Sequence, residues 1–429
     1  MTAPVPESRR IGFLRSAKAF WHPHIALMLP LGFCMGVPWF WMFHIPVRFS
    51  HLGMESSSLV VIALMSVSTL SFFWAPALDR LPLPWLARHL GRRRSWMVVA
   101  TVASMAAIAM LGVADPSAGL VTVLLLGFPI VFASSCLSAV VNAYRIEILE
   151  EDRYGAGDAV TGLTIGLGPA AAGLIASASD SRYDEPAVYV AVSALLLVGI
   201  VIALFGPEPT CVEEPDTAAR ERRLSEKAAR LGGAVAAWFS RVFVAPLTEF
   251  FIRPGWLTVL AFIMLYKLGL GDTEIHGHSK PALHFASLTG AIVGGMVIYS
   301  RGTLPGLLVA GSVLLLSNST LLAFHLMSPE SVWRGIPLLI GGFGDGFGTV
   351  ALAAYMMSLC RPSYTATQFA LFSSAIVLLQ FHPGPLSLFA EAMGGFREGL
   401  FLSGTVGCLL SLLLLRVLWK RQRREKARS

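Results

Sequence analysis

Cys211-Val-Glu-Glu-Pro-Asp-Thr-Ala-Ala-Arg-Glu-Arg-Arg-Leu-Ser-Glu-Lys-Ala-Ala-Arg-Leu-Gly-Gly233 is a long polar stretch in a chain that is otherwise a succession of apolar runs. It lies inside a segment, 206–254, whose 7 acids balance its 7 bases. Balanced charge with scattered apolar positions reads as a solvated or interfacial helix, not as a nucleic-acid surface. Six apolar runs precede the segment, near 24–48, 57–78, 96–114, 118–144, 158–179 and 187–206. Six follow it, near 256–272, 282–300, 304–327, 332–359, 365–390 and 397–418. The segment therefore divides the chain into an N-terminal part, 1–206, a linker, 207–255, and a C-terminal part, 256–429.

Composition agrees with membrane spans. Of the 429 residues, 55% are hydrophobic and 14% charged, with a mean hydropathy of +0.66, whereas soluble domains carry about 25% charged residues. A run of about 18–25 residues crosses a hydrocarbon core of about 30 Å at about 1.5 Å per residue. Membrane β-barrels show alternating segments of about ten residues instead. The chain reads as an all-α membrane protein and not as an enzyme. The first twenty residues are polar and basic, and the first apolar run is long and lacks a small-residue cleavage site, so it reads as a retained span. The five cysteines, Cys34, Cys136, Cys211, Cys360 and Cys408, form no Cys-x-x-Cys pair and imply no disulfide or metal framework.

Of the 33 lysines and arginines, 27 fall on the side of the N-terminus, of the linker and of the basic C-terminal tail. Under the positive-inside rule that side is cytoplasmic. The net charge of +7 is then an orientation signal, and no nucleic-acid partner is expected. Six spans, a long linker and six more spans is the organisation of the major facilitator transporters, whose two halves rock about a midplane site.

The sharpest local motif is Trp74-Ala-Pro-Ala-Leu-Asp-Arg-Leu-Pro-Leu-Pro84, followed by Gly91-Arg-Arg-Arg94, between the second and third runs. Arginine forks pair with carboxylates and with helix-end carbonyls. Asp79, Arg80 and Arg92 are therefore candidates for a latch that closes the cytoplasmic gate, with Arg145 and Glu147 as partners; a plain positive-inside anchor is the alternative. Ionisable groups inside spans are costly and mark candidate sites. Asp345, in Gly341-Gly-Phe-Gly-Asp-Gly-Phe-Gly348, and Lys267 both fall near mid-span. They read either as a proton-coupling pair or as a structural ion pair. The glycines of the tenth run, and Gly162, Gly166 and Gly168 beside Pro169, permit close helix packing or a hinge. His44 and Arg48 mark the outer end of the first run, and His325 and His382 read as satisfied buried histidines. Asp272, Glu274, His276 and His278 lack metal-site spacing. No cofactor is expected.

The chain resembles the AmpG-type muropeptide permeases, relatives of the acetyl-CoA transporters and siderophore permeases. The resemblance rests on Gly32-Phe33 with Gly36-Val-Pro38, the Trp74–Pro84 and Gly91–Arg94 segments, Ala143-Tyr-Arg-Ile-Glu147 with Arg153-Tyr-Gly-Ala-Gly157, Tyr266-Lys-Leu-Gly269, and Ser358-Leu-Cys360 with Thr365-Ala-Thr-Gln-Phe-Ala370. It implies a multi-pass importer of the bacterial inner membrane, a symporter that takes up GlcNAc-anhydroMurNAc peptides with protons for peptidoglycan recycling. Ser138, Asn142, Tyr144, Thr164 and Tyr266 are then the expected substrate contacts, and Asp345 with Lys267 the coupling pair. Ser71, Ser138, Asn142 and Thr164 stand where such permeases carry charges, and Asp345 where they tend to have glycine. A permease for another solute, or a transporter-like protein turned receptor, are the rival readings. The expected partners are a small-molecule substrate, protons and the lipid bilayer.

Overall fold

The computed structural model describes residues 20–49, 51, 53–115, 117, 119–178, 185–209, 215–252, 280–327, 335–381 and 396–426. The seventh apolar run with Tyr266 and Lys267, the acid and histidine pairs at 272–278, and His382 lie outside the described residues, as does the side chain of His325.

The fold is all-helical, as it must be where no water is present to satisfy the backbone. The first run is split into α1 (Pro23–Gly36), a 3-10 turn (Val37–Trp39) and α2 (Phe40–Arg48). Pro38 has no N–H to donate, which favours the break there. The second run is split in the same way into α3 (Gly53–Thr69), a 3-10 turn (Leu70–Phe73) and α4 (Ala75–Arg80), with Pro76 in the first turn of α4. A short α5 (Leu86–Leu90) precedes α6 (Arg92–Gly112), α7 (Leu120–Ile148) and α8 (Tyr154–Ala178), and the sixth run forms α9 (Glu185–Ala194) and α10 (Leu197–Phe205). Helices α1 and α8 touch backbone to backbone: a Cβ on Gly36 would stand 2.0 Å from the Ile165 carbonyl oxygen. This is the small-residue packing by which membrane helices associate where no hydrophobic drive between them exists.

Beyond the linker come α13 (Lys280–Arg301), α14 (Thr303–Met327), α15 (Gly335–Leu359), α16 (Thr365–Phe381) and α17 (Phe396–Lys426). Helices α13 and α15 are as close as α1 and α8, since a Cβ on Gly346 would meet the Ser287 carbonyl oxygen at 1.8 Å. A buried cluster containing Ile25, Ile146, Tyr154 and Ala156 from before the linker and Ile298, Phe347, Met357 and Phe369 from after it forms one continuous core. Among the described residues, eight helices are long and apolar enough to cross a membrane.

One of those eight by length and composition, Ala218–Thr248, is not a straight rod. It is built from α11 (Pro215–Phe239), a π-turn (Ser240–Val244) and α12 (Ala245–Ile252), and α11 is broken at Gly233, whose φ of 74° suits glycine. Arg241 Nε donates to Glu221 Oε1 at 2.9 Å and Ser225 Oγ to the Ala237 carbonyl at 3.4 Å. The two pairings share one register, so the arms run antiparallel and meet at a tip around Leu231–Val235. The polar linker folds as a helical hairpin.

Candidate functional site

A group of buried polar side chains converges where the linker leaves the bundle, at an end formed by α4, α6, the end of α7 and the start of α16. Helix α6 begins at Gly91, whose φ of 85° suits glycine and where a Cβ would stand 2.4 Å from the Glu208 side chain. Glu208 caps this helix. Its Oε1 accepts from the Arg93 amide at 2.9 Å and its Oε2 from the Arg94 amide at 3.3 Å. An anion at a helix N-terminus satisfies unpaired amides and the helix dipole together. Burial pushes the Glu208 carboxyl above its ordinary range, and the two amide bonds oppose that shift.

The cap fixes the start of α6 and thereby which arginine of Arg92-Arg93-Arg94 turns inward. It is Arg93, with 1% exposure. Its Nη2 donates to Asp79 Oδ1 at 2.8 Å and to Thr365 Oγ1 at 2.7 Å, and its Nε to both Glu147 oxygens at 3.0 Å. Thr365 Oγ1 in turn donates to Glu147 Oε1 at 2.6 Å. Asp79, fully buried, takes the N-terminus of α16: its carboxylate accepts from the Ala366 amide at 3.1 Å, the Thr367 amide at 2.8 Å and the Thr367 hydroxyl at 2.6 Å. Arg92 donates to the Asp79 carbonyl. Two carboxylates thus face one buried guanidinium, and the excess negative charge is met by the positive end of α16 and by Arg92.

A second layer comes from the linker. Glu221, 5% exposed, pairs with Arg80 and accepts from Arg241. Arg80 also donates to the Tyr364 hydroxyl at 2.9 Å and lies 4.6 Å from the centre of its ring. A third contact at this end is apolar: a Cβ on Gly155, at the start of α8, would press on Ile298 and on Gly295 of α13.

The structure brings together Asp79, Arg92 and Glu147 of the expected latch and places Arg80 in the layer above them. Arg145 stands apart as a correction: its Nη1 pairs with Asp158 of α8 at 2.9 Å. Residues two apart on a helix point in widely different directions, so Arg145 and Glu147 cannot serve one cluster. Two expected substrate contacts are also engaged elsewhere. The buried Tyr144 hydroxyl donates to the Pro207 carbonyl at 2.8 Å, and buried Thr164 donates to the Val160 carbonyl at 3.0 Å within α8 while packing against Gly32. Ser138 and Asn142 are half-buried on α7. Asp345 is half-buried on α15, with the Ser287 hydroxyl 3.5 Å from its Oδ2. Arg93, Glu208, Glu221, Thr365 and Thr367 are the partners that reading the sequence as sites did not single out. For Arg93, Thr365 and Thr367 a signal existed, since they stand in the Gly91–Arg94 and Thr365–Ala370 motifs.

At the opposite end, Arg48 donates to the Gly112 and Ala114 carbonyls at 3.3 and 2.7 Å, satisfying the end of α6. His44 Nδ1 is 2.8 Å from the Tyr189 hydroxyl. An open cavity of about 570 Å³ is lined by Phe40, His44, Gly166, Pro169, Gly173 and Ser177 among others.

A bundle of membrane-length helices whose sequence halves are pinned at one end by buried ions is a polytopic membrane protein of the transporter class. The model of the Major Facilitator Superfamily matches residues 62–381, and the chain belongs to that family. It is homologous to the anhydromuropeptide permease of Escherichia coli K12, at 28% identity over 93% of this chain and 81% of the permease. Its fold matches the E. coli fucose:proton symporter FucP at a TM-score of 0.63, with 13% identity over 92% of this chain and 98% of that one. The proton:xylose symporter XylE matches at 0.58, with 12% identity over 92% and 94%.

Proposed function

We propose that the protein is a secondary active transporter of a bacterial inner membrane, with twelve spans in two six-helix halves and both termini and the linker in the cytoplasm. It imports anhydromuropeptides, or a related small molecule, by alternating access driven by protons. The observation that carries the reading is the Asp79–Arg93–Glu147 cluster closing on Thr365, Ala366 and Thr367. Asp79, Arg93 and Glu147 come from before the linker and the α16 amides from after it. The contact therefore has to break for a central site to face the cytoplasm, which makes it the cytoplasmic gate, with Arg80 and Glu221 as its outer layer.

Homology over 93% of the chain supports the substrate class. In this proposal Ser138 and Asn142 contact the substrate, Tyr266 and Lys267 keep their expected roles as substrate contact and coupling partner, and Tyr144 and Thr164 brace their own helices. Asp345 exchanges the coupling proton, and the Ser287 hydroxyl steadies its charged form. The sequence signal for a changed cargo is the loss of charge at Ser71, Ser138, Asn142 and Thr164. It favours a second reading, a less charged solute, because unpaired charges on a substrate are rejected where their partners are missing. A melting experiment with GlcNAc-anhydroMurNAc tripeptide separates the two. A ligand at about 100 times its Kd stabilises the bound state by roughly 2.7 kcal/mol, and a shift of that size is expected for the first reading. No shift with the muropeptide in folded protein transfers the assignment to another solute.

A further inference from the structure

The linker hairpin carries chemistry that the gate does not use. Glu221 faces the bundle. At about 100° per residue, Arg223, Lys227 and Arg230 lie on the opposite face of α11, about 180–240° round from it. All three are exposed, and Glu226 is the exposed acid among them. The stem of the hairpin therefore presents a basic stripe away from the protein. Its tip is apolar: Leu231 is 82% exposed and Val235 78%, followed by Trp238 at 49% and Phe239 at 52%. Trp238 and Phe239 both pack on Phe243 of the returning arm, at 6.1 and 5.0 Å between ring centres, which holds the aromatic patch in a fixed place.

We propose that this hairpin is a docking surface for acidic phospholipid, with Arg223, Lys227 and Arg230 on the headgroups and Leu231, Val235, Trp238 and Phe239 seated among the upper acyl carbons. Basic side chains beside an aromatic and aliphatic patch are the complement of an anionic leaflet. A lipid surface fits better than a protein because both ends of the hairpin lead straight back to apolar runs: α10 ends at Phe205, and a further apolar run begins near 256. The tip lies about 15 Å along α11 from Glu221 at 1.5 Å per residue. The proposal holds whatever solute is carried.

The test uses the full-length protein on a cysteine-free background, with Val235→Cys carrying a nitroxide. It is reconstituted into phosphatidylethanolamine–phosphatidylglycerol vesicles and, separately, into phosphatidylcholine vesicles. Power saturation with oxygen and with a water-soluble nickel chelate reads the depth of the label. The expected result is a several-fold fall in nickel accessibility in the acidic vesicles relative to the neutral ones. That fall should be lost on replacing Arg223, Lys227 and Arg230 by Gln, and equally by Glu, in protein of unchanged melting temperature. A label equally open to nickel in both vesicles overturns the proposal. So does one buried equally in both and indifferent to the substitutions, and so does one shielded only when a soluble protein fraction is added.

Discussion

Replacing Asp79 by alanine separates interactions that hold the closed state from those that hold the fold. Asp79 has two kinds of partner. Its ion pair with Arg93, at 2.8 Å, joins two residues of the N-terminal part and survives opening. Its three hydrogen bonds from the Ala366 and Thr367 amides and the Thr367 hydroxyl cross to α16 and exist only while the end is shut. A hydrogen bond to a charged group contributes about 1.5–3 kcal/mol, and an N-cap loss alone costs about 1 kcal/mol. Because three bonds to one carboxylate are not additive, about 3 kcal/mol is a fair closure-specific loss, or roughly a 100-fold shift toward opening at 1.4 kcal/mol per decade. Ile298, fully buried at the neighbouring α8–α13 contact, supplies the reporter. With Ile298→Cys on a cysteine-free background, the rate of labelling by a membrane-impermeant maleimide follows the open population. Asp79→Ala should raise that rate by about two orders of magnitude. Glu150→Ala should leave it unchanged, since its pair with Arg153 is 3.9 Å long and Glu150 is largely exposed, worth under about 1 kcal/mol. An Asp79→Ala rate within a factor of about two of the parent, against the 100-fold expected from the lost cap, would refute the reasoning.

Glu221→Gln should free the hairpin from Arg80 and Arg241, so that hydrogen exchange across 215–239 rises while α6 stays protected. Unchanged exchange would contradict the pairing. Gly346→Ala places a methyl 1.8 Å from the Ser287 carbonyl oxygen and should lower the melting temperature by forcing α13 and α15 apart, an overpacking cost of about 1–3 kcal/mol; an unaltered melting temperature would refute that contact. Glu208 gives a pH signature. Burial raises its folded-state pKa above the ordinary 4.5, so the folded state holds the proton more tightly than the unfolded one. The resulting stabilisation is present at low pH and is lost as pH rises through the raised value. Wild-type melting temperature should therefore fall over that window more than in Glu208→Gln, and parallel curves would show that Glu208 does not carry the effect.

Much of the fold was readable from apolar run lengths, because hydrocarbon leaves the chain few alternatives. The linker hairpin was less so: its balanced charge reads as a single solvated or interfacial helix, and the reversal shows in the Gly233 backbone and in the shared register of the Glu221–Arg241 and Ser225–Ala237 pairings. In the site, Asp79 drew notice as the lone carboxylate between two apolar runs and beside Gly91-Arg-Arg-Arg94, and the structure buries it against Arg93 and the start of α16. Choosing Arg93 over Arg92 was not legible, since it depends on where α6 starts, and that is set by Gly91 together with Glu208, 115 residues from Arg93. Arg145, two residues from Glu147, points to Asp158 of α8 and not to the cluster, because residues two apart on a helix do not share a face. Tyr144 and Thr164 had side chains suited to a substrate, but their hydroxyls are spent on backbone carbonyls at 2.8 and 3.0 Å.

Proteoliposomes holding the protein should accumulate labelled anhydromuropeptide when an inward proton gradient is imposed. They should lose that accumulation when the gradient is collapsed, and Asp345→Asn should abolish the response to the gradient while leaving exchange across the membrane intact. Absence of gradient-dependent uptake by folded protein would contradict the proposed cargo and coupling together. Full gradient-driven uptake by Asp345→Asn would contradict the role given to that carboxylate.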